Sequence, residues 1–502
     1  MGTHGVRTFS VDEKSPTSPI RRTTHHRTQS SLSGADFTTS STTNTTAPFL
    51  KQILWIGTLG TRTSLWSPSL RTRVSATLRA DPYRNEVVWV EDGVFEGAYD
   101  EFCHQVLWPV LHYEVPDAPR EGVGYREYVE VNRRVAEKIR ECWKEGDVVW
   151  VNDYHLMLVP RMLRAMGVGG TIGFFLHVSF PSSEIIRCLP VRVPLLRGIL
   201  GADLVGFQTA NYARHFRQTC GRVLGVEALP RGVTSGAHTT TTTSTGSGLT
   251  RFVTVSVFPM GIDVSRLKER RKSPEVEEWV QVLKSRYKSG GGKDQEKQKV
   301  KLVVGRDKLD DIQGVKQKVQ AFELFLEKYP EWVGRVVLIQ IALPAPPPPP
   351  LSSETSTDIT SAILSKVAQI NSRWSSLTYQ PVIFLHTAEV DWNQYLALLS
   401  VADAFLVTSL REGMALRSHE FVVSDQEGTL ILSEFAGSYS YSGFRSCIAI
   451  NPWDTRGTAE AIAQALTMGK EEARGRWEEL SEHVETQTAQ AFVRGFLSRC
   501  VR

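Results

Sequence analysis

From Lys51 onward, short apolar segments alternate with stretches of helical periodicity, and this alternation restricts the fold more than any other property of the chain. The apolar segments are Ile53 to Gly57, Val87 to Val90, Val148 to Val151, Thr171 to Phe175, Leu204 to Phe207 and Val253 to Phe258. They continue with Leu302 to Gly305, Val336 to Ile341, Val382 to Leu385, Ala404 to Thr408, Leu430 to Ser433 and Ala449 to Ile450. Strands this short and uniformly apolar suit a parallel sheet covered on both faces. Between them Tyr212, Phe216, Cys220 and Val223 recur at four, four and three residues, one face of an amphipathic helix. Repeated strand–helix units predict an α/β protein with doubly wound layers.

At 502 residues the chain has room for more than one such layer. Hydrophobic residues at 41% and charged residues at 22% are ordinary for a globular protein, and no apolar run reaches the ~18 to 20 residues of a membrane span. A net charge of +4, spread over 58 basic and 54 acidic residues, does not point to nucleic acid. Six scattered cysteines without a C-x-x-C pair suggest neither a disulfide framework nor a zinc site, so no metal is expected and a reducing cytoplasm fits.

Residues 1–50 are rich in Ser, Thr, Arg and His and poor in large apolar groups, which predicts a disordered tail without a secretory leader. Arg21-Arg22-Thr23 and Arg27-Thr28-Gln29-Ser30 place hydroxyls beside arginines as a basophilic kinase prefers; an unmodified solvated tail is an equal reading. Three later stretches, Ser235 to Thr250, Ser289 to Lys299 and Pro344 to Asp358, are low in apolar residues and are expected to loop out. The expected domains are 51–250 and 251–470, both Rossmann-like, followed by C-terminal helices over 471–502.

Ligands of doubly wound folds bind beyond the carboxyl ends of the strands. The loops there carry Asn152-Asp153-Tyr154-His155, His177 through Glu184, Arg306 through Gly314, and Ser409 through Leu416, which opens a helix containing Glu420. A glycine turn entering a helix, as at Gly413 to Leu416, can offer backbone N–H groups to a diphosphate, and Glu420 can accept from ribose hydroxyls. Taken singly these signals are weak. An acidic residue near a helix start more often serves the helix, and a histidine after a strand more often packs.

Together, Leu107-Trp108-Pro109, Val151 through Pro160, Phe174-Phe175-Leu176-His177, Phe180-Pro181-Ser182-Ser183-Glu184, Gly206-Phe207-Gln208-Thr209, Pro259-Met260-Gly261-Ile262-Asp263, Glu412-Gly413-Met414 and Leu432-Ser433-Glu434-Phe435 resemble the trehalose-6-phosphate synthases in order and spacing. The resemblance implies a GT-B fold, two Rossmann-like domains facing across a cleft, with a C-terminal helix within Glu485 to Val501 crossing back to the first. It implies UDP-glucose on the second domain, glucose 6-phosphate on the first, and retaining glucosyl transfer without a required metal. By position, Tyr99, Trp108 and Asp153 match acceptor-site residues, and His177 the histidine near the transferred sugar, so that His177 and Asp153 stand at the catalytic positions. Glu412 matches the carboxylate directed at the donor glucose; Gly413, Met414, Ala415 and Leu416 match the diphosphate nest and Glu420 the ribose contact.

The chain also departs from the enzyme pattern. No glycine pair follows Arg62 before Val87, so the loop that closes over both substrates is missing. The family's Asp-Arg-Leu-Asp-Tyr-x-Lys-Gly is here Asp307-Lys308-Leu309-Asp310-Asp311-Ile312-Gln313-Gly314. Lys308 keeps a charge but loses the guanidinium fork, and Gln313 has none. Losing one preorganised donor costs about 10² to 10³ in rate. Ala342 to Pro350 lacks the arginine expected for the acceptor phosphate, and Ala415 and Arg417 replace a small amide and an aliphatic residue.

These departures are similar to those of the regulatory, non-catalytic subunits of fungal trehalose synthase complexes, in which a phosphatase-like domain follows the synthase-like part. The resemblance implies as partners the catalytic trehalose-6-phosphate synthase and trehalose-phosphate phosphatase subunits. A divergent active synthase using Arg306 or Arg411, and a sugar-nucleotide or sugar-phosphate sensor, are the alternatives.

Overall fold

The computed structural model describes residues 53–115, 123–235, 251–288, 300–344, 355–424, 428–440 and 442–501. The N-terminal tail with its candidate phosphorylation sites, and most of the three low-complexity stretches, lie outside the described residues; Thr355 to Asp358, expected to loop out, instead begin the helix Thr355–Trp374. The chain divides into two compact units, one running up to Phe258 and resuming at Val493, the other covering Pro259–Phe492.

In the first unit, β1 (Trp55–Gly57) and β2 (Asn85–Val87) pair in parallel as a two-stranded sheet of their own. The second apolar segment thus contributes only its start to a strand, pairing ending where the Val88 amide donates to the Gly57 carbonyl. Trp55 remains over one-third exposed, so this first segment is not the doubly covered strand its composition suggests.

The main sheet of this unit contains β3 (Val149–Asn152), β4 (Ile172–Leu176), β5 (Leu204–Phe207), β6 (Ala228–Leu229), β7 (Gly232–Ser235) and β8 (Arg251–Val257) in the order β3-β4-β5-β8-β7-β6. β3, β4, β5 and β8 are parallel. β6 and β7 form an antiparallel hairpin on the edge, turning at Pro230-Arg231. This hairpin has no counterpart in the sequence reading, because its strands are too short to show a period. As β8 pairs with β5, the first unit extends through Phe258, beyond the boundary expected at 250.

Every residue of β4 is buried, as a strand covered on both faces requires. The helix Ala210–Leu224 starts where Thr209 accepts from the Tyr212 amide and ends at Gly225, whose φ of 68° suits a residue without a Cβ. Its Phe216 packs against Phe180 and Phe207.

The second unit holds β9 (Lys301–Lys308), β10 (Val336–Leu343), β11 (Val382–His386), β12 (Ala404–Val407), β13 (Thr429–Ser433) and β14 (Ile448–Ile450). All are parallel, in the order β11-β10-β9-β12-β13-β14. In chain order this is third, second, first, fourth, fifth, sixth, the doubly wound arrangement whose direction reverses between β9 and β12. All eight residues of β10 are buried.

Two helices close the chain, Lys470–Thr486 and Ala489–Val501. The first belongs to the second unit; only residues from Val493 join the first. There Phe496 packs on Trp150, Phe175 and Phe258, and Gly173 on β4 leaves room for it: a Cβ would stand 2.8 Å from its ring.

Candidate functional site

Two groups of the expected residues assemble, one within each unit. In the first, Asp153 follows β3 with φ 69° and ψ 173°, a positive-φ conformation that non-glycine residues seldom adopt. Its amide donates to the Phe175 carbonyl at 2.7 Å, and its Oδ1 accepts from the His177 amide at 3.1 Å. Burial pushes the Asp153 carboxyl up to about 7, opposed by the amides of His177, Tyr154 and Val178. His177 follows β4, with Nε2 3.2 Å from Asn152 Oδ1, and burial lowers its imidazole to about 3, so the ring is neutral. The ends of β3 and β4, paired through Asn152 and Phe175, thereby hold the carboxyl and the imidazole as one unit.

Tyr99 lies in an eleven-residue π-helix, Gly97–Leu107, a form that concentrates at functional sites. Its ring stacks on Phe95 at 5.4 Å and on His155 at 5.2 Å, and meets His104 at 4.6 Å. Trp108 approaches His104, His112 and Tyr154. Tyr99 and Trp108 thus meet the segment following Asp153 as one aromatic cluster.

The sequence did not single out the residues that fix this segment. The Tyr128 hydroxyl donates to the Tyr154 carbonyl at 2.7 Å and accepts from the Met157 amide at 3.0 Å. Asn132, one turn further along the helix Tyr125–Cys142, donates to the His155 carbonyl and accepts from the Leu158 amide. Two buried polar side chains at i and i+4 were the legible signal.

In the second unit the expected residues gather at the carboxyl ends of β9 and β12, on either side of the point where strand order reverses. Lys308 ends β9, and the Asp310 carboxylate accepts from the Ile312 and Gln313 amides at 3.0 and 2.7 Å, shaping the loop that follows. Burial raises the Asp310 carboxyl to about 6. Gln313 is buried, and Gly314 presses on the loop after β12, where Thr408 Oγ1 donates to its carbonyl.

Glu412 and Glu420 are both buried and both occupied from within the unit. Arg417 donates to Glu412 Oε1 at 2.7 Å and to Ser409 Oγ at 2.7 Å, and Ser409 Oγ donates to Glu412 Oε2 at 2.6 Å. The same guanidinium lies 3.2 Å from Asp307 Oδ1. On its other oxygen Asp307 pairs with the fully buried Lys318 and accepts from Gln340. Burial alone would raise the Asp307 carboxyl, but Lys318 and Arg417 hold it below its ordinary value. Glu420 Oε2 accepts from the Tyr395 hydroxyl at 3.1 Å and from Arg306 at 3.4 Å, while the Arg306 guanidinium lies 4.8 Å over the Tyr395 ring.

In the Gly413 to Leu416 turn, two of the expected backbone donors are bonded within the unit. The Ala415 amide donates to Ser438 Oγ at 3.0 Å and the Leu416 amide to the Met414 carbonyl at 3.1 Å. Ser438, on a short helix after β13, came from no sequence signal. Arg411 stacks over Phe435 at 4.4 Å. Neither Arg306 nor Arg411 is therefore a cation without other engagement. Among the described residues no group of three His, Cys, Asp or Glu side chains is placed to hold a metal, and no helix is long and apolar enough to cross a membrane.

Two α/β units with parallel sheets, loops converging at their carboxyl ends and a C-terminal helix ending in the first unit define a GT-B protein of the sugar-transferase class. The chain belongs to glycosyltransferase family 20, whose profile matches residues 7–502. It is 40% identical over 441 residues to trehalose synthase complex regulatory subunit TSL1 of Saccharomyces cerevisiae, a match covering 86% of this chain and 37% of that protein. The chain thus spans under two-fifths of that relative's length. It is 37% identical to the UDP-forming alpha,alpha-trehalose-phosphate synthase of Pichia angusta, with 83% of each chain covered. Among solved structures, the N-terminal domain of Candida albicans trehalose-6-phosphate phosphatase superposes with a TM-score of 0.78 at 35% identity, covering 89% of this chain and 88% of that one. The Burkholderia xenovorans trehalose-phosphate synthase in complex with glucose-6-phosphate superposes at 0.76 with 26% identity, over 89% and 93%.

Proposed function

We propose that the chain acts in trehalose biosynthesis as a regulatory, non-catalytic synthase-like subunit, working in the cytoplasm with a catalytic trehalose-6-phosphate synthase and a trehalose-phosphate phosphatase. The observation that carries the reading is the loop from Asp307 to Gly314. It is fully formed, with backbone amides tied to Asp310, yet presents Lys308 and Gln313 where the resembling enzymes have an arginine and a lysine. Glucosyl transfer from a nucleoside diphosphate sugar needs charge at the leaving diphosphate, and a neutral amide does not supply it. The scaffold is also not bound to one activity: it occurs in a protein named as a phosphatase and in regulatory subunits.

A coupled assay for UDP release, run on the chain alone and mixed with a catalytic family member, tests this. The expected result is no turnover of UDP-glucose and glucose 6-phosphate by the chain alone and an altered rate in the mixture. Turnover by the chain alone at rates normal for the family would sink the proposal.

The second reading, a divergent active synthase, is favoured by the intact Asp153–His177 arrangement and by synthase relatives covered over most of their length. Replacing Arg306 and Arg411 together separates it: an active enzyme relying on them would lose its activity. The sensor reading predicts binding of UDP-glucose or glucose 6-phosphate without turnover.

A further inference from the structure

We propose that Arg417 is a built-in occupant of the nucleotide crevice of the second unit, which closes that crevice to sugar nucleotides. The inference shares with the proposed function the assignment of the 409–420 loop to the donor side, and binding is measured apart from turnover so that either can fail alone.

In a doubly wound sheet the nucleotide crevice opens where strand order reverses, because the loops on the two sides turn away from each other there. In this unit that point lies between β9 and β12. Arg417 spans it. Its Nη2 lies 3.2 Å from Asp307 Oδ1 near the end of β9 and also donates to Ser409 Oγ, and its Nη1 donates to Glu412, both in the loop after β12. The side chain is buried, so this is an interior bridge and not a surface contact.

The charges close on themselves. Asp307 and Glu412 are answered by Lys318 and Arg417, and all four side chains are shielded from solvent. A diphosphate would bring negative charge to a place whose buried cations are already committed. Sugar hydroxyls would have to displace two partners from Glu412, the charge-assisted Arg417 Nη1 on Oε1 and Ser409 Oγ on Oε2. The Ala415 and Leu416 amides are bonded within the unit, and Glu420 is held by Tyr395 and Arg306. Every one of these contacts is internal, and Arg417, like the Arg306–Glu420 pair, joins the two sides.

Isothermal titration of the full chain with UDP and with UDP-glucose tests this, on the wild type, on Arg417→Val, on Arg417→Gln and on the Lys308→Arg, Gln313→Lys double variant, each checked for folding by circular dichroism. The wild type is expected to show no binding at millimolar ligand. Arg417→Val or Arg417→Gln is expected to bind at least about tenfold tighter than wild type. Restoring the two cations alone is expected to gain nothing while Arg417 remains. Micromolar binding by the wild type would overturn the proposal whether or not the variants fold. So would a folded Arg417 variant that gains no affinity, or a cation-restored variant that gains as much.

Discussion

Lys318 Nζ lies 2.5 Å from Asp307 Oδ2 with both side chains fully buried, so the second unit carries an ion pair in its interior beside the end of β9. Removing one partner of such a pair leaves an uncompensated charge out of water. Lys318→Met is expected to destabilise the second unit by about 3–5 kcal/mol in urea unfolding. Adding Asp307→Asn should recover part of the loss, since the remaining groups are then neutral or paired; an equal or greater loss in the double variant would show that the pair is not the source.

Asp153 gives a pH signature of defined sign. Its carboxyl sits at about 7 in the folded chain against an ordinary value of 3.8, so the folded state holds a proton that the unfolded state releases. The associated stability is complete below about pH 4 and is lost as pH rises through 7. Measured as wild type against Asp153→Asn, stability should fall across that window in the wild type only. A flat difference between the two proteins would contradict the burial-driven shift. His177, lowered by burial to about 3, works in the opposite direction, losing stability as pH falls below its ordinary 6.5, and is common to both proteins in the comparison.

Gly314 has φ 69°, and a Cβ there would stand 1.9 Å from the Thr408 carbonyl oxygen. Gly314→Ala must therefore both strain the backbone and push apart the loops after β9 and β12. Thermal unfolding should report a loss of about 1–3 kcal/mol. Gly146→Ala, at φ 94° with open space around it, carries the backbone strain without the collision and should cost less.

Phe496 is fully buried against Trp150, Phe175 and Phe258. Phe496→Ala is expected to cost about 3–5 kcal/mol. Limited proteolysis should then cut first within Ala489–Val501, since that ring fastens the last helix to the β-sheet of the first unit. Unchanged protection would show that other contacts hold it.

The parallel sheets were legible because buried strands must be apolar on both faces, and all twelve apolar segments overlap strands. The β6–β7 hairpin was not: strands of two and four residues show no period, and their pairing depends on β8, nearly twenty residues further on. At the candidate sites, strings after β3, β4, β9 and β12 named Asp153, His177, Lys308 and Glu412. Lys318 was also readable in principle, because it falls between Val315, Val319 and Phe322 on the apolar face of the helix Val315–Lys328, where a lysine needs a buried partner.

By itself the sequence determined the class of fold and the loops where chemistry would be sought, since periodicity and the ends of strands are local properties of the chain. Which carboxylates remain available was decided only in three dimensions. Arg417 and Asp307 are separated by more than a hundred residues, and Tyr395 and Glu420 by twenty-five, yet their pairings set the character of the crevice. A salt bridge depends on where folding places two charges and on the water it removes around them. Neither quantity is written in the spacing of residues.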